Sequence, residues 1–244
     1  MWFSGVLNGG MGYTHLNKFL SALNIPEMHW NTFKTYEKEV GKAIEELGRD
    51  SCKRAVQEER ELTIKNHEKL RKLLPSHFQR GYIFPDVSAE QERRGAISDD
   101  NVVRIAASFD MGWPTKGSGK SYDSLSGTGE LIGYFTNTVL SIVVLNRKCR
   151  MCDQGHSKET HDCRLNYEES AKSMESAAAV RLIKDNPILT KCKVEGAIFI
   201  SDNDSSAIAA VRNAVNYEVV KVDDTNHTRV SLRHCTKLSP NSKS

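Results

Sequence analysis

The sequence predicts an α/β domain, a mixed five-stranded sheet with helices, preceded by an all-helical N-terminal region. Three observations predict it. Residues 13 to 73 carry apolar side chains at helical spacing. Residues 101 to 244 instead carry five short apolar runs that read as strands. Two helical stretches separate the last three of those runs.

In the N-terminal region, Tyr13, Leu16, Phe19, Leu20 and Leu23 share one helical face, with Thr14 as the expected cap. Asn24-Ile25-Pro26 breaks that helix. A second pattern follows through Trp30, Phe33, Tyr36, Val40, Ile44 and Leu47 and continues as a charged stretch to Lys72. Two helices joined across a proline fit either a helix-turn-helix or an ordinary helical hairpin. Residues 74 to 100, with Pro75, Pro85 and the polar run Ser88 to Asp100, read as a linker or surface loop. The domain reading is therefore 1–73, 74–100 and 101–244.

In the last region, Val102 to Phe109, Leu131 to Phe135 and Thr138 to Leu145 read as strands, the latter two meeting at Thr136-Asn137. Ser170 to Lys184 reads as a helix ended by Pro187, followed by a strand at Ala197 to Ser201, a helix at Ser205 to Val215 and a strand at Tyr217 to Val222. Three strands, then helix, strand, helix, strand is the order of a ribonuclease-H-like fold.

Composition sets limits. Of 244 residues, 39% are hydrophobic and 27% charged, enough apolar material for a core. Net charge is +3, so nucleic-acid binding would have to come from local patches. No apolar run reaches the roughly 18 residues of a membrane span. The start, Met1-Trp2-Phe3-Ser4, lacks the pattern of a secretory leader. Three of the six cysteines, Cys149, Cys152 and Cys163, fall in one short stretch with His156 and His161, which favours metal over a disulfide framework.

The chemistry-bearing residues follow from this layout. Asp110 and Asp202 each end an apolar run, and strand-end carboxylates that a fold brings together can hold the divalent cations of phosphoryl transfer. Asp204 or Ser205 also fits as the N-cap of the following helix. Gly119-Lys120-Ser121 resembles a phosphate-binding loop, but the glycine required five positions earlier is Pro114. Lys116 and Lys120 suit a loop near a phosphate backbone instead. Cys149, Cys152, His161 and Cys163 form a donor set for tetrahedral Zn²⁺, with His156 as the alternate ligand. Asp224-Thr225-Asn226-His227 places an acid and a histidine three apart, although Asp223 or Asp224 also fits a helix cap. Arg229 and Arg233 beyond it are candidate DNA contacts.

Taken in order, these pieces resemble the Mutator-like superfamily of transposases in the form found in animal genomes. The resemblance is carried by Leu20 to Pro26, Glu58 to Leu62, Phe109-Asp110-Met111-Gly112-Trp113, Asn166 to Ser170 with Met174-Glu175, Ser201-Asp202-Asn203-Asp204-Ser205, and Asp224-x-x-His227. It implies a ribonuclease-H-like core with catalytic Asp, Asp and Glu, the first two at Asp110 and Asp202, binding two Mg²⁺ or Mn²⁺. It also implies that Asp224 and His227 order the edge of that site. The implied partners are transposon terminal repeats and target DNA in the nucleus, with a second copy of the chain as a candidate partner. The third acid would lie beyond Asp-x-x-His, and Thr228 to Ser244 contains none. The chain is thus expected to be a fragment or decayed copy, with weak or no strand transfer. The rival expectation is a catalytically silent, transposase-derived DNA- or chromatin-binding protein.

Overall fold

The computed structural model describes residues 2–78, 81–114, 124–201 and 205–223. Eight α-helices lie among the described residues, α1 (Trp2–Asn8), α2 (Tyr13–Ala22), α3 (Trp30–Arg71), α4 (Ala89–Arg93), α5 (Arg150–Asp153), α6 (Met174–Ile183), α7 (Pro187–Lys191) and α8 (Ser205–Ala214). The strands are β1 (Val103–Gly112), β2 (Ser126–Gly133), β3 (Val139–Asn146), β4 (Val194–Ser201) and β5 (Val220–Asp223). The fold is therefore mixed α/β with a helical N-terminus. Among the described residues no helix is long and apolar enough to cross a membrane.

The chain divides into two compact units, Met1–Ser51 and Cys52–Ser244, and α3 contributes to both. In the first, Phe3, Val6, Leu16 and Phe33 form a buried cluster. Its aromatic rings meet edge-on, with Phe3 5.2 Å and Tyr13 5.7 Å from Phe33 between centroids. Asn17 fixes the turn after α2 by bonding both the carbonyl and the N–H of Met28, each at 3.0 Å. Gly12, not Thr14, stands at the N-cap of α2, without a side-chain bond. Residues 23–29 join α2 to α3, a longer join than the roughly 3–4 residues of a helix-turn-helix.

In the second unit the five strands form one sheet in the order β3-β2-β1-β4-β5. β2 runs antiparallel to β1 and β3, whereas β4 and β5 run parallel to their neighbours. Alternation along β1 buries Val103, Ile105, Ala107, Phe109 and Met111 on one face. Leu131 stands opposite Phe109 and Gly129 opposite Met111, so this face continues across β2. It looks onto α6, because a Cβ added at Gly129 would lie 2.9 Å from the Cβ of Ala178. The glycine is what allows helix and strand to approach so closely. Met174, Ala178 and Leu182 bury the sheet-facing side of α6, and α8 packs beside it.

Ala197 is the extra residue of a bulge in β4, since Ile105 pairs with Gly196 and Ala106 with Ile198. The Tyr82 hydroxyl shares its one hydrogen between the freed Ala197 carbonyl at 2.8 Å and the Glu218 backbone carbonyl at 2.7 Å. Arg104 pairs with Glu195 at 2.8 Å and lies over the rings of Tyr82 and Tyr217. Tyr82, Ile83, Phe84 and Val87 are therefore core residues, although their segment reads as polar linker. On α3, Glu59 is fully buried, and its carboxylate accepts from the N–H groups of Phe135 (3.0 Å) and Thr136 (2.8 Å) in the β2–β3 turn. Next to it, Arg60 donates to the carbonyls of Ser98 and Asn101. This pair of neighbours ties α3 to the β2–β3 turn and to the chain just before β1.

Pro187 does not simply end α6. It is the first residue of a further short helix, α7, capped by the Asn186 side chain, which accepts from Ile188 N–H at 2.9 Å.

Candidate functional site

Two sites carry chemistry. The first is the loop between β3 and α6. Asn166 anchors its far end to the strand it left. Its side chain bonds the N–H of Asn146 and the carbonyl of Val144, both at 2.8 Å, and the N–H groups of Asn166 and Tyr167 reach the Asn146 carbonyl. Arg147 donates to the Glu169 carbonyl at 2.6 Å. The intervening chain makes the single turn of α5, reverses at Gly155 (φ +87°) and returns through His161 to Cys163. The loop has almost no apolar residues to hold it, yet it converges on one point.

At that point the ligand atoms of Cys149, Cys152, His161 and Cys163 all lie within 4.8 Å of one another. Cys149 Sγ is 3.1 Å and Cys152 Sγ 3.6 Å from His161 Nε2, and Cys152 Sγ is 3.5 Å from Cys163 Sγ. Bond lengths of about 2.3 Å to sulfur and 2.0 Å to nitrogen give tetrahedral edges of about 3.5 to 3.8 Å. The donor set fits a metal ion such as Zn²⁺ in both chemistry and spacing. The three thiols are unbridged. The Cys152 N–H beside Cys149 holds its thiol down at about 7, while desolvation and the neighbouring Cys163 and Cys149 push Cys152 up to about 12. Cys149 and Cys152 so close together resist ionising both at once without a cation to offset the repulsion. His156 is exposed and outside the group.

The second site is Asp110. Pairing of β1 with β2 continues to Gly112, so Asp110 lies inside the strand rather than at its end. It is exposed, on the sheet face opposite α6. Its Oδ1 accepts from the Met111 N–H at 2.8 Å, and Oδ2 has no partner among the described residues. Directly across the antiparallel pair stands Glu130, and across β3 from that stands Ile142, 53% exposed. Gly112, Thr128 and Val144 form the next row of the same open face. Glu130 is absent from the sequence reading because the apolar run there begins only at Leu131. Ser126-Gly127-Thr128-Gly129 has weak strand propensity, and antiparallel pairing to both neighbours overrides it.

Asp202, Asp204, Asp224, His227, Lys116, Lys120, Arg229 and Arg233 lie outside the described residues, as does Gly119-Lys120-Ser121. The described part of β4 ends at Ser201, one residue before Asp202.

An open carboxylate in the central strand of a mixed five-stranded sheet, with a Cys/His loop between strand and helix that could hold a metal ion, defines an α/β protein with two candidate sites. A family model described as Mutator-like transposase matches residues 2–76 and 86–243. The chain belongs to the Mutator-like transposase family. No curated protein and no solved structure matches the chain.

Proposed function

We propose that the chain supplies the helical pre-catalytic region and part of a ribonuclease-H-like catalytic domain of a DNA transposase. The observation that carries the proposal is the position of Asp110. It stands in the central strand of a sheet ordered β3-β2-β1-β4-β5, on an open face, in a chain of this family.

The donor at Asp110 is a hard carboxylate oxygen with no second partner among the described residues, which fits Mg²⁺ or Mn²⁺. Asp110 and Asp202 would hold those cations. Such cations activate a water or a 3′-hydroxyl and stabilise the leaving oxygen of an in-line displacement. Asp224 and His227 would order the edge of the site. Lys116, Lys120, Arg229 and Arg233 would meet the phosphate backbone of transposon ends and target DNA, in the nucleus and with a second copy of the chain as partner. Cys149, Cys152, His161 and Cys163 would hold a structural Zn²⁺, because four protein ligands leave no open position for chemistry.

Gel shift with a transposon-end duplex tests the proposal. Mg²⁺ should tighten the complex of the wild type and not that of Asp110→Asn. A complex indifferent to both cation and substitution would favour the catalytically silent binder. Residues Thr228 to Ser244 offer no third acid, so strand transfer by these 244 residues alone should be weak. Robust transfer with Mn²⁺ would contradict that assignment.

A further inference from the structure

We infer that Glu130 is a further carboxylate ligand for the divalent cation proposed at Asp110, an inference that rests on that reading of Asp110. The register places the two residues directly opposite each other in the antiparallel β1–β2 pair. Residues so paired project from the same face with Cβ atoms about 4.5 to 5.5 Å apart, within the span that two carboxylates bridge around one cation.

The electrostatics point the same way. Like charges directly opposite on a sheet are destabilising. Among the described residues no hydrogen bond or ion pair engages the Glu130 carboxylate, and Asp110 bonds only the N–H of its own neighbour. Several other acids of this unit are matched, Glu195 with Arg104, Glu92 with Arg71 and Glu59 with two backbone amides. A cation shared between Asp110 and Glu130 converts this repulsive row into a favourable one.

The row is also shaped for a ligand. Both residues sit on paired strands, which hold side chains more firmly than a loop does. The flanking positions on the open face are small or apolar, Gly112 and Thr128 on one side and Ile142 beyond Glu130. They leave the carboxylates accessible and give them no competing cation.

Calorimetric titration of the zinc-loaded full chain with Mg²⁺ tests the inference, with thermal melting in Mg²⁺-free buffer as a second readout. Glu130→Gln should weaken Mg²⁺ binding about tenfold, since affinity follows the ligand charge count. In the same variant the cation-free melting temperature should be unchanged or higher, because the repulsion is gone. Glu130→Asp should keep part of the affinity. Asp110→Asn should abolish binding. Wild-type affinity in Glu130→Gln, with binding lost in Asp110→Asn, would overturn the role of Glu130 and leave that of Asp110 intact. Wild-type affinity in both variants would overturn both. A Glu130→Gln protein that melts lower without Mg²⁺ would also count against the inference, since it would make Glu130 a structural residue.

Discussion

Sγ of Cys149 lies 3.1 Å from Nε2 of His161, twelve residues apart in a loop with no apolar core of its own. A metal bound by the four ligands would supply what that loop lacks. Purified protein should contain about one Zn per chain by elemental analysis. Cys163→Ala and His161→Ala should each lose most of it. Stripping the metal should expose residues 147 to 169 to protease before the rest of the chain, because metal binding and local folding are coupled.

Glu59 is fully buried and bonds the backbone of the β2–β3 turn. Glu59→Ala leaves two amides without their charged acceptor and should cost about 2 to 3 kcal/mol. Urea melting checks the value. The turn should loosen with it, seen as faster hydrogen exchange at Phe135 and Thr136.

At Gly129 a side chain would strike Ala178 at 2.9 Å and Val143 at 3.2 Å. Neither neighbour is the tip of a flexible chain. Gly129→Val should destabilise by about 1 to 3 kcal/mol through overpacking. Thr128→Val, one residue away on the open face, should be close to neutral.

Much of this was legible in the sequence, for reasons that differ by element. The Cys/His set was readable because its ligands are local, four residues between 149 and 163 whose spacing alone suggests one centre. The strand and helix order was readable because apolar runs and periodicity report burial. Strand ends were not. Propensity ends the first run at Phe109, since Asp and Gly are poor strand formers, whereas pairing with β2 carries the strand through Asp110 to Gly112. The same pairing draws Gly127 and Gly129 into β2 and brings Glu130 opposite Asp110. That relationship is one of register between strands, and no local pattern encodes it. Pro187 illustrates the opposite error, for a proline that stops one helix is equally suited to start the next. Tyr82, buried in a segment that reads as linker, finds a hydrogen-bond acceptor in the Ala197 carbonyl at the bulge, 115 residues away.

The central claim is that Asp110 and Asp202 belong to one divalent-cation site. Mg²⁺ titration of the zinc-loaded chain, comparing the wild type with Asp110→Asn and Asp202→Ala, tests it most directly. Saturable binding in the wild type that is lost in both variants is the predicted result. Identical traces from all three proteins would contradict it.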